Sequence, residues 1–277
     1  MLPWNYGFHW DTGHIIFLGA FYTVLVIVAT TLISAALRSR RSLRAGDVDK
    51  IRWQEEFHDL TARDRVCRHV MTGEFTHREC PNGFDCRLCE MHGKWIEKHP
   101  AGSGSEADEE LLGMDYPLDR YYHRGHTWAR LEEDGTVTIG LDDLGKRLLG
   151  SPDSVDLPTP GDYLRVNGTA FHAGKRGAKV RVLSPVDGEV IAVGGEGDGW
   201  LVRVKPDAAD ERAFRHLLRG AEVRPWLMRE MERLQLALSE EGASAPTLAD
   251  GGVPVADIAA SYPDTDWDAV CGRMFLE

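Results

Sequence analysis

Apolar residues follow three patterns along this chain. Residues 15–37 form an apolar run that contains no charged side chain. Residues 38–66 and 208–241 repeat apolar positions at helical spacing among many charges. Between them, residues 116–205 read as short apolar runs separated by Gly, Pro and Asp, which is typical of short β-strands. Together the patterns predict an α+β protein with one very apolar helix near its N-terminus.

The apolar run is long enough to cross a membrane. At 1.5 Å per residue, residues 15–37 span roughly 34 Å as a helix, which exceeds the hydrocarbon thickness of a bilayer. The first basic residue is Arg38, and Arg40, Arg41 and Arg44 follow. The positive-inside rule therefore predicts a single-pass helix in the inner (cytoplasmic) membrane, with residues 1–14 outside and the body in the cytoplasm. A cleaved signal peptide, the alternative, needs a basic n-region that residues 1–14 lack.

Two Asp-Gly pairs mark turns in the β region. Asp134-Gly135 and Asp187-Gly188 each separate two runs of strand-forming residues, and Asp-Gly is a strong hairpin signal. The sequence therefore predicts a small β-sandwich or barrel with hairpins at both positions. We interpret Asp142-Asp143 as the start of a helix rather than as a catalytic dyad.

These signals divide the chain into segments. Residues 100–115 contain the stretch PAGSGSEADEE, whose composition is typical of a flexible linker. Residues 242–277 end in an apolar cluster that either folds back on the body or docks elsewhere. The predicted order is an external N-terminus (1–14), a transmembrane helix (15–37), a juxtamembrane helix (38–66), a cysteine-rich segment (67–99), a linker (100–115), a β-domain with a C-terminal helix (116–241) and a tail (242–277).

Charge limits the partners of the body. The net charge is −12, so electrostatics exclude nucleic acid as a ligand. The remaining expected partners are the lipid bilayer and other membrane protein subunits, because small residues in the apolar helix allow close helix packing.

Four cysteines are grouped in a short segment that has few large apolar residues. Cys86 and Cys89 are separated by two residues, as in a metal-binding knuckle, and Cys67 and Cys80 complete a four-thiolate set. A structural zinc ion, an iron–sulfur cluster and free thiols are the three alternatives. His92 is a further candidate ligand, whereas we expect His69 and His77 to be surface or capping residues. Cys271, far along the chain, is expected to be a small buried side chain.

Residues 116 to about 220 resemble the H protein of the glycine cleavage system. The resemblance lies in several motifs that follow in the same order. They are His126-Thr127-Trp128, Gly135-Thr136-Val137-Thr138-Ile139-Gly140, Asp156-Leu157-Pro158, Gly161-Asp162, Ser184-Pro185-Val186-Asp187-Gly188-Glu189-Val190 and Gly199-Trp200-Leu201-Val202. The resemblance implies a lipoyl-carrier fold, a flattened β-barrel of two half-motifs followed by C-terminal helices.

The family's carrier residue is a lysine at a hairpin tip, inside a Glu-Ser-Val-Lys-Ala motif, and it bears lipoate through an amide. Counted without a gap, this position is Gly177, and the family's acidic residue three before it falls on Gly174. Lys175 and Lys179 lie two residues to either side and are the fallback positions. We expect no lipoate on this chain.

These features predict a non-catalytic accessory subunit of a larger membrane complex. The H-protein-like domain would serve as a cytoplasmic docking module, and a respiratory or photosynthetic electron-transport assembly is the expected host. The alternative is a membrane-tethered lipoyl carrier modified on Lys175 or Lys179, or a redox module with a metal cluster on the four cysteines. No nucleophile, base and orienting group occur together, so the sequence does not predict an enzyme.

Overall fold

A computed structural model describes residues 11–44, 65–98, 109–195, 199–210, 212–240 and 254–276. The chain divides into two compact units, Met1–Arg52 and Trp53–Glu277. Most of the predicted juxtamembrane helix, and residues 100–108 of the predicted linker, lie outside the described residues.

The first unit is described as a single helix, α1 (Thr12–Arg44). Its Thr12–Ser34 stretch of 23 residues has a mean hydropathy of 2.4. By length and composition this stretch could cross a membrane, and a signal sequence near an N-terminus would have the same properties. The helix starts three residues before the predicted span and continues through the basic residues that follow it.

The second unit is built on three β-sheets. The largest has six strands in the order β3-β4-β5-β11-β10-β7, the next has the order β6-β8-β9, and β1 and β2 form a small separate pair. The strands are β1 (Glu110–Leu111), β2 (Met114–Asp115), β3 (Tyr121–Tyr122), β4 (Thr127–Leu131), β5 (Val137–Leu141), β6 (Ser154–Asp156), β7 (Tyr163–Leu164), β8 (Thr169–Lys175), β9 (Ala178–Leu183), β10 (Gly188–Val193) and β11 (Val202–Pro206).

The helices of the second unit cover the sheets and join the segments. They are α2 (Arg68–Met71), α3 (Glu90–Lys98), α4 (Asp143–Leu149), α5 (Val223–Glu240), α6 (Ile258–Ser261) and α7 (Trp267–Met274), with short 3-10 turns at Cys86–Leu88 and Gly220–Glu222. The predicted C-terminal helix begins later than expected, because residues 212–217 form turns and Leu218 forms a β-bridge with Tyr122 before α5.

The two Asp-Gly turns have different outcomes. Asp134-Gly135 joins the antiparallel pair β4 and β5, so this predicted hairpin is confirmed. The hairpin predicted at Asp187-Gly188 is wrong, because β9 pairs with β8 whereas β10 pairs with β7 and β11. Here the turn carries the chain from one sheet to the other. Gly188 is required at this turn because a Cβ atom would lie 2.3 Å from the carbonyl oxygen of Lys205.

Asp142 begins α4, as predicted for a helix start. Its carboxylate accepts a hydrogen bond from the backbone N–H of Gly145 at 2.7 Å, which satisfies one of the free donors at the helix N-terminus.

The predicted linker contributes to the core. Residues 110–115 form the β1–β2 hairpin, and the side chains of Leu111 and Met114 are buried in it. The average composition of residues 100–115 is hydrophilic, and it does not reveal that Leu111 and Met114 are buried.

The described part of the C-terminal tail, residues 254–276, folds back on the body. Helix α6 packs against α4, and α7 packs against β9 and α5. Seven of its apolar side chains have almost no exposed surface: Ile258, Ala259, Trp267, Val270, Cys271, Met274 and Phe275. This segment, which we call the C-terminal segment, therefore forms part of the core, and Cys271 is buried as expected.

Candidate functional site

The hairpin of β8 and β9 holds the position of the family's carrier lysine. The strands pair in antiparallel register up to Lys175 and Ala178, and the two-residue turn between them is Arg176-Gly177. Arg176 has φ 51° and Gly177 has φ 81°, the positive values of a type I′ hairpin turn. Both turn residues are exposed. Gly177 is therefore at the tip of the hairpin, where a lysine side chain would project but only a hydrogen atom is present.

The amine of Lys175 is already bound within the chain. Its Nζ donates to the carbonyl oxygen of Ser151 at 2.9 Å and to the carboxylate of Asp257 at 3.0 Å. The Lys175 side chain is buried, whereas a carrier lysine must be presented to a modifying enzyme. Lys175 thus joins the hairpin to the C-terminal segment.

The turn itself is also held by the C-terminal segment. The Arg176 guanidinium donates to the carbonyl oxygens of Ala259 at 3.3 Å and Pro263 at 2.8 Å. Lys179 is exposed, but it lies on β9 opposite Gly174 rather than in the turn. The residues at the hairpin therefore do not fit a lipoyl group held at the tip, and the prediction of no lipoate stays a prediction.

A buried charge cluster joins the start of β4 and the start of α4 to α5. His126 Nδ1 is 3.0 Å from the carboxylate of Asp142, its Nε2 is 3.7 Å from that of Glu230, and Glu230 is paired with Arg233 at 2.6 Å. Burial lowers the pKa of His126, but the charge and hydrogen bond of Asp142 outweigh burial and raise it to about 9. Burial raises the pKa of Glu230, but the charges of Arg233 and His126 outweigh it and lower it to about 2.

Sequence reasoning missed two members of these networks. Glu230 lies on the apolar face of α5 between Trp226, Leu227 and Leu234, and an acidic residue at such a position is a detectable signal of a buried ion pair. Asp257 carried no comparable signal, because its partner Lys175 belongs to a distant part of the chain.

The four cysteines of the predicted metal site all lie in the second unit as free thiols. Cys67 and Cys86 are buried, and Cys80 and Cys89 are half-buried. An antiparallel bridge between Val66 and Glu79 brings the first two cysteines to neighbouring backbone positions. The Sγ atom of Cys80 accepts a hydrogen bond from the backbone N–H of Phe84 at 3.3 Å.

Burial controls the acidity of the two inner thiols. Burial raises the pKa of Cys86 to about 11, although the charge of Arg68 opposes this, and burial also raises the pKa of Cys67. Nearby thiols contribute to both shifts, since Cys67 is affected by Cys80 and Cys89 and Cys86 by Cys80 and Cys67. Charge on the neighbouring thiolates therefore adds to burial in opposing the ionisation of Cys67 and Cys86.

Within the described residues, no group of three or more His, Cys, Asp or Glu side chains is arranged to hold a metal ion. His92 Nδ1 is hydrogen-bonded to His69 Nε2 at 3.1 Å, so the candidate ligand already has a protein partner. The expectation that His69 is a surface residue is wrong, because it packs against Phe75, His92 and Trp95 and is only 2% exposed. His77 is exposed, as expected.

Comparisons with known proteins agree with this architecture. The model of the glycine cleavage H-protein family matches residues 120–229. The glycine cleavage system H protein of Psychrobacter sp. (strain PRwf-1) is 35% identical, with 38% of this chain and 93% of the relative covered. That of Saccharophagus degradans is 39% identical, with 32% of this chain and 79% of the relative covered.

A crystal structure of a glycine cleavage system H protein from Mycobacterium marinum also matches. It has 23% sequence identity and a TM-score of 0.34, and the match covers 41% of this chain and 97% of that one. The α1 helix, the cysteine-rich segment and the C-terminal segment all lie outside the residues that the family model matches. The sequence relatives confirm the resemblance, and the chain belongs to the glycine cleavage H-protein family.

Proposed function

We propose that this protein is a non-catalytic, membrane-anchored subunit that uses its H-protein-like domain for docking within a larger membrane complex. In this role the domain keeps the carrier fold but does not carry lipoate. A fold can be retained when its chemical site is lost, because packing and chemistry depend on different residues.

The main support for this proposal is the residue at the tip of the β8–β9 hairpin and the bonds that Lys175 and Arg176 make there. The tip residue is Gly177, and the amine of Lys175 is buried in an ion pair with Asp257. A carrier arm must move between partners, whereas this hairpin is bonded to the C-terminal segment through Lys175 at the end of β8 and Arg176 in the turn. The arrangement favours a rigid surface over a mobile arm.

The α1 helix supports the membrane part of the proposal. Its apolar stretch has no charged residue between Thr12 and Ser34, and four arginines follow it in the same helix. We propose that it spans the inner membrane with the body on the cytoplasmic side. A tethered domain samples only partners in the same membrane, so tethering suits a component of a fixed assembly. A respiratory or photosynthetic electron-transport complex is the host that we propose.

Intact-mass measurement tests the loss of the carrier function. The full chain is co-expressed with a lipoate ligase, and a glycine cleavage system H protein expressed under the same conditions is the positive control. We expect the control protein to gain one lipoyl group and this chain to gain none. If the chain gains an adduct, the Lys175→Gln and Lys179→Gln variants identify its position, and an adduct on either lysine would support the carrier alternative instead.

Purification tests the docking role. The full chain is extracted from its native membrane with a mild detergent, and co-purifying proteins are identified by mass spectrometry. We expect other integral membrane proteins in stoichiometric amounts. A chain that is extracted with the membrane fraction but elutes alone and monodisperse would contradict the proposed role without affecting the result on lipoate.

We further propose that the four neighbouring thiols of the cysteine-rich segment bind a structural zinc ion, because the Cys86 and Cys89 pair and the N–H hydrogen bond to Cys80 are features of thiolate sites. Zinc binding would require the thiols to converge further than they do in this structure. Elemental analysis should find one zinc per chain, and a Cys86→Ser and Cys89→Ser double variant should lose it. Iron with visible absorption would indicate a cluster, and a metal-free protein would overturn the assignment.

A further inference from the structure

A cavity of about 240 Å³ opens between the two main sheets, at the C-terminal end of α4. It lies outside the β8–β9 hairpin tip and the cysteine-rich segment. Six of the apolar side chains that line it come from β5, α4, β6, β8 and the connection before β11: Leu141, Leu149, Val155, Phe171, Ala173 and Trp200. Because its walls belong to both sheets, the cavity is a mouth of the sandwich, where ligand sites are common.

The walls of this cavity are held in place by the fold. Val155 and Ala173 are directly opposite each other in the β6–β8 pair. The Trp200 ring lies 5.1 Å beneath the guanidinium of Arg203, and the neighbouring Leu201 N–H donates to the carbonyl oxygen of Ile139. The site is thus preformed, and binding would not require its residues to order.

The rim of the cavity provides one positive charge. Lys146 lies at the edge of the cavity and is exposed, and within the described part of the chain its amine has no hydrogen bond or ion pair. No acidic residue is among the described lining residues. Glu196 and Asp198, in the connection between β10 and β11, lie outside the described residues, so the charge argument rests on Lys146.

The size and lining of the cavity define the class of ligand. A dry apolar cavity of about 150 Å³ holds benzene, and drug-sized ligands occupy sites of about 300 Å³ or more. A volume between these limits suits a fragment with an aliphatic tail, and a nearby cation suits an anionic end. We infer that this cavity binds a medium-chain aliphatic carboxylate, with its tail between the sheets and its carboxylate beside Lys146. This site is independent of the docking role proposed above.

Titration with octanoate tests the inference. The full chain is held in lipid nanodiscs, and empty nanodiscs provide the blank for partitioning into lipid. We expect saturable binding at roughly millimolar concentration or tighter, given the few heavy atoms of the ligand. Octylamine, which has a similar tail and the opposite charge, should bind more weakly. Equal or stronger binding of octylamine would overturn the role of Lys146, and no saturable binding of either probe would overturn the site.

Variants of two lining residues give the matched controls. Val155→Phe places a ring in the mouth from an exposed edge strand and should abolish octanoate binding, whereas the near-isosteric Val155→Thr should retain it. Lys146→Gln should weaken octanoate about threefold, and Lys146→Glu should reverse the preference in favour of octylamine. Lys94→Gln, on the exposed side of α3, should change nothing. Unchanged binding in Val155→Phe with an unchanged melting temperature would contradict the proposed position of the ligand.

Discussion

Two segments flank the family-matched region, and they are attached to it by different kinds of interaction. The cysteine-rich segment places two side chains, Met71 and Phe84, in apolar clusters, but it is also held by several polar groups. Arg68 donates to the carbonyl oxygens of Arg215 and Leu217 and pairs with Glu222 at 2.6 Å. His92 is also hydrogen-bonded to the Arg215 carbonyl oxygen, at 2.9 Å. The C-terminal segment instead buries a row of apolar side chains between α5 and β9.

Because the interactions differ, the two attachments should respond differently to mutation and to pH. Directional bonds to buried carbonyl groups fail when a donor is removed or when a histidine changes charge. Apolar burial responds to lost volume and is almost independent of pH. The cysteine-rich segment should therefore be the separable part, and the C-terminal segment should be inseparable from the core of the domain.

Phe275→Ala should have the largest effect on this comparison. The Phe275 ring is fully buried and lies 5.8 Å from the ring of His126, so its removal leaves a cavity in the centre of the domain. We expect the free energy of unfolding to fall by about 3–5 kcal/mol in denaturant titrations. Leu88→Ala, at a side chain that is 76% exposed, is the matched control and should change it by less than about 0.5 kcal/mol. A loss below about 1 kcal/mol for Phe275→Ala would contradict the integral role of the C-terminal segment.

Arg68→Ala should release the cysteine-rich segment. The Arg68 guanidinium is almost fully buried, so its removal leaves two carbonyl groups and Glu222 without their donor. We expect a loss of about 2–3 kcal/mol, lower than for a fully buried pair because Glu222 is partly exposed. The local measurement is alkylation of Cys67 and Cys86 in protein freed of metal by a chelator, which should become as fast as that of Cys80 and Cys89. If alkylation stays slow at the buried thiols, another contact holds the segment.

Two buried histidines, His92 in the cysteine-rich segment and His126 beside β4, should make stability fall at opposite ends of the pH range. Burial lowers the pKa of His92 to about 3, so the unfolded chain binds a proton that the folded one excludes, and stability falls as the pH decreases below about 6.5. The pKa of His126 is raised to about 9, so its contribution is present below about 6.5 and is lost as the pH rises through 9.

The opposite pH dependences expected from His92 and His126 can be tested by measuring the melting temperatures of two variants from pH 4 to pH 10. This range includes most of the loss expected from His92, which begins below about 6.5, and the loss expected from His126 near pH 9. His92→Gln should reduce the loss of stability on the acid side, to which the lowered pKa values of His123 and His216 also contribute. His126→Gln should flatten the alkaline side. If either variant flattens the other side, the assignment of the two histidines is wrong.

The ion pair between Lys175 and Asp257 should have the smallest effect. Asp257 is partly exposed and also caps α6 through the N–H of Ala260 at 2.9 Å. Asp257→Asn keeps a capping group and removes the charge, so we expect a loss of about 0.5 kcal/mol. Asp257→Ala removes both and should cost about 1–2 kcal/mol. An unchanged stability in Asp257→Asn would show that the ion pair contributes nothing measurable, and equal losses in the two variants would show the same for the cap.

Local signals in the sequence predicted local structure. Asp134-Gly135 gave the correct hairpin, and Asp142 the correct helix start, because each depends on neighbouring residues alone. The same Asp-Gly signal at residues 187–188 did not distinguish a hairpin from a connection between sheets, since that choice depends on which strand lies alongside.

The sequence predicts the position of the carrier site at the hairpin tip, but not the contacts that the neighbouring side chains make. Motif counting placed the carrier position on Gly177, and the hairpin has its tip there. The burial of His69 and the engagement of Lys175 arise from residues distant in sequence, Trp95 and Asp257 among them, which no local pattern identifies. For the same reason, the sequence does not show whether the C-terminal segment folds back on the body or docks elsewhere.

The contact between Phe275 and His126 also bears on how the domain folds. The two rings are separated by about 150 residues of chain, and closure of such distant contacts slows folding because loop entropy is lost before the contact forms. The strands between them can pair earlier, but β9 and α5 present an uncovered apolar face until α7 arrives. We therefore expect a partly assembled intermediate that exposes this face during synthesis, and a role for chaperones in protecting it.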